Sequence, residues 1–145
     1  MPSSYSNSSL RSTNEEMAAL VDAYFSAVSA GDRQRLLEVF APDLRWRVPQ
    51  GAIAPYAGLH EGSEHIADMM LGAVGQSFVP GSQQTTIKTK LFGEQVMAVE
   101  TVMTAETPDQ RSYQNSYTFF FEFEDGRIVE IREHVDTRYA ADFFS

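Results

Sequence analysis

The spacing of apolar residues changes from helical to alternating near Thr85, and that change limits the folds open to this chain. Before it, Met17, Leu20, Val21, Tyr24, Phe25 and Val28 recur at helical spacing, the stripe of a helix packed on one side. After it, Ile87, Thr89 and Leu91 alternate with Lys88 and Lys90, and Met97, Val99, Thr101 and Met103 alternate with residues that include Glu100 and Thr104. Asn115, Tyr117, Phe119, Phe121 and Phe123 form one face of the next strand. Val129, Ile131, Glu133 and Val135 form one face of the last, with Glu130, Arg132 and His134 on the other. Strands with one apolar face each build an antiparallel sheet covered on one side. Helices from the first half are the available cover, so the expectation is an α+β domain.

Local signals set the expected boundaries. Residues Met1 to Ser12 are rich in Ser and Asn and read as a flexible tail, leaving 13–145 as one domain. Thr13 and Glu16 have capping-box spacing, and Gly31 ends the first helix. Asp32 can cap a second helix through Leu36, Leu37 and Phe40, stopped by Pro42. Leu44, Trp46 and Val48 alternate with Arg45 and Arg47 as a short strand, so both arginines are expected to face solvent. A long loop from Pro49 to Gly62 follows and contains His60; loops of that length in compact domains are often functional. Ser63 is the expected cap of a third helix through Ile66, Met69, Met70 and Val74. Asp136 is the expected cap of a C-terminal segment ending near Phe144.

Composition excludes several classes of function. The 145 residues carry twenty acidic against eleven basic side chains, a formal charge of −9 that repels nucleic acid and anionic lipid. Without cysteine there is no disulfide, thiolate metal site or cysteine nucleophile, and the three histidines lack ligand spacing, so no metal or cofactor is expected. The polar N-terminus has no apolar signal segment and no run is long enough to span a membrane, which makes a cytoplasmic protein the expectation.

The last hairpin decides which faces meet. A two-residue Asp125-Gly126 turn sets Phe121 opposite Glu130 and Phe119 opposite Arg132. A three-residue loop with Gly126 in the left-handed region pairs Phe121 with Val129, Phe119 with Ile131 and Tyr117 with Glu133. Burial of the phenylalanines favours the second reading, because a slip of one residue turns every side chain over. Glu133 then lies on the apolar face near Tyr117 and Asn115, where lost hydration should raise its pKa. A structural carboxylate reaching solvent at a sheet edge is the competing reading.

The run Arg111-Ser112-Tyr113-Gln114-Asn115-Ser116-Tyr117, with Phe123 to Ile128 and Arg132-Glu133-His134-Val135-Asp136-Thr137, resembles the nuclear transport factor 2-like superfamily. It is most similar to the SnoaL-like branch, which includes polyketide cyclases, limonene-epoxide hydrolases and ketosteroid isomerase relatives. The first half agrees, from Tyr24 through Ala30-Gly31-Asp32 to Leu44-Arg45-Trp46-Arg47-Val48-Pro49 and Gly58 to Gly62. The resemblance implies three N-terminal helices on a curved, mostly antiparallel sheet forming a cone with an apolar pocket, and frequent homodimers. Against the isomerase pattern, Tyr24 matches the helix tyrosine, while Val48 and Phe119 stand at the base and donor positions. Against the epoxide hydrolase pattern, Glu133 matches the last-strand carboxylate, while Thr101 and Met103 replace its Arg and Asp.

The expected catalytic set is therefore Glu133 as base, with Asn115, Tyr24 and Tyr117 as donors. The expected pocket residues are Trp46, Val48, His60, Met97, Val99 and Thr101, with Met103, Phe119, Ile131 and Val135 on the later strands. Proton abstraction beside a carbonyl, as in isomerisation, dehydration or aldol-type cyclisation of a hydrophobic polyketide-, steroid- or terpenoid-like molecule, fits this set. A non-catalytic ligand-binding or dimerisation domain and an altered epoxide hydrolase remain alternatives. The opposite sheet face, with Phe120 and Thr118 beside His134 and Arg132, is the expected homodimer surface.

Overall fold

The computed structural model describes residues 10–145. The first nine residues of the expected tail lie outside the described residues; of its remainder, Ser12 is held by Gln95 through backbone-to-amide hydrogen bonds of 3.0 and 2.9 Å, and Arg11 pairs with Glu94. Helix α1 spans Asn14–Ala30, with both capping-box bonds made between Thr13 and Glu16. It ends at Gly31, whose φ of 69° provides the left-handed C-cap. Asp32 caps α2, Arg33–Val39, through the Arg35 amide.

The second helix ends one residue earlier than its apolar spacing suggests. Phe40 already belongs to strand β1, Phe40–Val48, and Pro42 lies where the β1 register shifts, a place in a strand where a missing N–H is tolerated. The expected long loop contains a second strand, β2, Gly58–Glu61, which pairs His60 with Trp46. Helix α3, Ser63–Ser77, is capped by Gly62 without any side-chain hydrogen bond, so Ser63 does not serve as its cap. Then come β3, Gln84–Gly93, β4, Val96–Glu106, β5, Ser112–Glu124, β6, Arg127–Val135, and the C-terminal helix α4, Thr137–Phe144, capped by Asp136. Among the described residues no helix is long and apolar enough to cross a membrane.

The strands form one six-stranded mixed sheet in the order β2-β1-β6-β5-β4-β3, in which only β1 and β6 run parallel. Helices α1 and α3 cover its concave face, and the buried cluster between them includes Val21, Tyr24, Leu44, Ile66, Phe121 and Ile131.

The last hairpin follows neither expected register. Glu124 pairs with Arg127 across a two-residue turn whose Asp125 and Gly126 both have positive φ, 52° and 75°. An irregularity at Val129 then restores the parity that burial demands, so Phe121 meets Ile131, Phe119 meets Glu133 and Tyr117 meets Val135. Glu133 is inward, as expected, but opposite Phe119 rather than Tyr117. A similar shift at Lys88 pairs Lys90 with Val99, which gives Lys90 the inward parity at an exposed edge instead of the outward parity its alternation suggested.

The outward face carries its own buried carboxylate. Glu130, 7% exposed, pairs with Arg45 at 2.8 Å and Arg132 at 2.7 Å, with Arg47 at 3.5 Å, so the two β1 arginines serve an ion-pair network and are not simply solvated.

Glycine-to-alanine substitution should have opposite signs at two sites where a new Cβ meets nothing. At Gly126 the left-handed backbone should make it cost about 1 kcal/mol. At Gly72, inside α3, the alanine should stabilise by about 0.5–1 kcal/mol. Urea denaturation midpoints of the two variants check both signs.

Candidate functional site

The concave face does not fill completely. A cavity of about 370 Å³ remains between the sheet and the helices, within the size range of small-molecule sites. The sheet contributes Trp46, Thr101, Met103, Tyr117, Phe119 and Glu133. Tyr24, Phe25 and Val28 of α1 and Met70 and Val74 of α3 form the roof. Ile53 and Tyr56 come from the β1–β2 connection, and Ala140 and Phe144 from α4.

Glu133 reaches this cavity because β6 is inward at that position and lies beside β1. Parallel pairing sets Trp46 next to Ile131, one inward position before Glu133, and the indole Nε1 donates to Glu133 Oε1 at 3.1 Å. The surface that half-buried Glu133 exposes is cavity wall. Among the described residues no other group donates to its carboxylate, and Oε2 opens to the cavity. Loss of hydration pushes its pKa from the ordinary 4.5 to about 7, with the Trp46 hydrogen bond acting in the opposite direction.

The tyrosines near it are poor acids. Burial first, and then the charge of Glu133, hold the Tyr24 hydroxyl well above its usual pKa of 10.0. Among the described residues the only partner of that hydroxyl is the sulfur of Met70 at 3.8 Å. Tyr117 is likewise raised well above the usual value, by burial first and then by Tyr113 and Glu133, and its hydroxyl lies 2.9 Å from that of Tyr113. These are neutral hydroxyls that can donate without ionising.

Of the expected site residues, Glu133, Tyr24, Tyr117 and Trp46 line the cavity, as do Val48, Thr101, Met103, Phe119 and Val135. Met97, Val99 and Ile131 share the inward parity but are at most 1% exposed and fill the core below the cavity. His60 stands on β2 outside the cavity, its ring 5.3 Å from Trp46 and its Nε2 2.7 Å from the Tyr56 carbonyl. Asn115 is buried beside the cavity without lining it, and its amide is engaged by Tyr113, Asp136 and Ser116. Phe25, Ile53, Tyr113 and Phe144 were not anticipated. Tyr113 continues the inward parity of β5 and was detectable from it, whereas the others depend on how α1, α4 and the β1–β2 connection dock.

The profile of the SnoaL-like domain family matches residues 21–131, most of the chain. The protein belongs to that family. Comparison with curated proteins yields no match. Among solved structures, this SnoaL-like domain is similar to Bal32a from a soil-derived mobile gene cassette, with 27% identity, a TM-score of 0.73, and 90% of this chain and 96% of the other covered. It shares its fold with TerC co-crystallised with polyporic acid, with 16% identity, a TM-score of 0.75, and 88% and 96% covered. A putative SnoaL-like polyketide cyclase from Jannaschia sp. CCS1 matches at 16% identity and a TM-score of 0.70, with 88% and 90% covered. The profile match stops two positions before Glu133, so membership carries the fold and leaves the chemistry to the cavity itself.

The raised pKa of Glu133 has a consequence for stability with a definite sign. The folded state holds a proton on Glu133 that the unfolded chain releases near 4.5, so stability from this group is full below 4.5 and is lost as pH rises through about 7. Glu133→Gln should therefore match the native protein in stability near pH 4.5 and exceed it above pH 7, by up to about 3 kcal/mol. Denaturation of both proteins across this range checks the difference.

Proposed function

We propose that this SnoaL-like domain is an enzyme that removes a proton beside a carbonyl in a hydrophobic polyketide-, steroid- or terpenoid-like molecule, with Glu133 as the base. The observation that carries this reading is one carboxylate, brought to a pKa of about 7 and with a free oxygen, at the wall of a largely apolar cavity. A base is most effective when its pKa lies near the working pH. Tyr117 and Tyr24 supply neutral hydroxyls toward the oxygen on which charge develops, and Trp46 holds the carboxylate in place. Isomerisation, dehydration and aldol-type cyclisation share this first step. An epoxide-opening reaction finds less support, because Thr101 directs its hydroxyl to the Tyr117 carbonyl at 3.1 Å and no arginine lines the cavity among the described residues.

Glu133→Gln keeps the shape and removes the base, so turnover should fall by about two to four powers of ten while ligand affinity persists. In the native enzyme kcat/KM should rise with pH through about 7 as Glu133 ionises. Unchanged turnover in the variant would remove Glu133 from the mechanism. Absence of turnover with every carbonyl substrate that binds would favour the alternative, a ligand-binding domain.

The working unit we propose is a homodimer formed through the outward sheet face. Leu91, 64% exposed, and Leu59, 46% exposed, stand on the same face at the two edge strands, and the Arg132 guanidinium lies 5.3 Å over the Phe120 ring between them. Phe120→Glu should convert a dimer to a monomer in light scattering; a native protein that is monomeric at micromolar concentration would reject the assembly.

A further inference from the structure

The hydrogen bonds at the far side of the cavity have a direction, and it can be read from groups with no choice of role. The Ser116 backbone N–H can only donate, and it meets Asn115 Oδ1 at 2.8 Å. The Asp136 carbonyl can only accept, and it meets Asn115 Nδ2 at 3.2 Å. Together they fix which end of the Asn115 amide is oxygen and which is nitrogen. Asn115 Nδ2 therefore also presents an N–H to the Tyr113 hydroxyl oxygen, 2.9 Å away.

Either hydroxyl could donate in the 2.9 Å contact between Tyr113 and Tyr117, and burial separates them: the O–H of Tyr113, 2% exposed, must find a protein acceptor, and among the described residues the Tyr117 oxygen is the one available, whereas half-buried Tyr117 can turn its own O–H to the cavity. An N–H donated to a hydroxyl strengthens the bond which that hydroxyl donates in turn. The Tyr117 hydrogen is then left without an acceptor among the described residues, in a cavity it shares with Glu133.

We propose that Tyr113 and Asn115 are positioning residues, which polarise Tyr117 and aim its O–H into the cavity as the donor to a substrate oxygen. This rests on the function proposed above and adds a defined chain, Asn115 to Tyr113 to Tyr117 to ligand. It also gives the C-terminal helix a part in the site. Tyr113 packs against Tyr139, Phe143 and Phe144 of α4 with ring centroids 5.0–5.5 Å apart, and Arg111 donates to the Phe143 carbonyl at 2.7 Å. Docking of α4 thus sets where the Tyr113 hydroxyl sits, through its ring on one side and the Asp136 carbonyl on the other.

The test uses 4-nitrophenol, whose anion absorbs visible light, bound to the full chain carrying Glu133→Gln so that the only local titration is that of the probe. Adding Tyr117→Phe should raise the pKa of the bound phenol by about one unit, a tenfold loss of anion binding. Adding Tyr113→Phe should raise it by a smaller, still measurable amount, while affinity for 4-nitrotoluene, which lacks the hydroxyl, stays unchanged. Tyr113→3-fluorotyrosine keeps the ring packing and makes the O–H a stronger donor, so it should move the titration the other way. This second variant decides the matter if the phenylalanine variant loses its fold. A phenol titration that ignores both changes at Tyr113, or a cavity that binds no 4-nitrophenol, would overturn the proposal. The probe needs no turnover, so its failure leaves the role of Glu133 standing, and loss of that role would leave the donor chain as a binding feature.

Discussion

Ionising a carboxylate among aromatic rings is costly, and the concave face is organised around that cost at Glu133. Among the described residues the only hydrogen bond to its carboxylate comes from Trp46, 87 residues away in sequence, and the pair meets because β1 runs parallel to β6. Phe119 faces Glu133 across the sheet, and Tyr24 and Tyr117 are neutral hydroxyls near it. None of these neighbours can supply a compensating positive charge, so the proton on Glu133 is held up to about pH 7.

The same strand solves the opposite problem three residues earlier. Burial works to raise the pKa of Glu130 as well, but hydrogen bonds from Arg132 and Arg45, with Arg47 nearby, outweigh it and leave the group below its usual value. Glu130 faces outward and is tied into an ion-pair network; Glu133 faces inward and has none. Two glutamates on one short strand acquire different acidities from the face each one occupies. Removing the arginines of the outer network together would strand a buried charge, whereas Glu133 can become neutral without losing a partner.

Legibility in the sequence varied with the range of the interactions that place each residue. Tyr24 could be read from the helical stripe and Glu133, Tyr117 and Thr101 from strand alternation, because a residue's face depends on neighbours two to four positions away. The same parity suggests Asn115 as a donor in the pocket. Its short side chain instead bonds Tyr113 on its own strand and the Asp136 carbonyl, and the second contact exists only once the start of α4 lies against β5. The glycines and prolines around His60 suggest an open loop, yet pairing with β1 makes its segment a strand. A strand of four residues carries little local signal and forms only against its partner.

Sequence alone determined the helix caps at Thr13, Gly31, Asp32 and Asp136, the alternation of β4 and β5, and the α+β class, all of which follow from local stereochemistry and hydrophobic spacing. Tertiary structure decided the register shifts at Lys88 and Val129, since an extra residue in a strand is favoured only when burial across several strands outweighs the lost pairing. It also decided which inward residues border empty space. Val99 and Ile131 have the same parity as Thr101 and Val135, but the first pair lies in the filled core and the second lines the cavity. That division is set by how far α1, α3 and α4 stand from a curved sheet, a distance fixed by packing between elements remote in sequence and invisible in the alternation of any one strand.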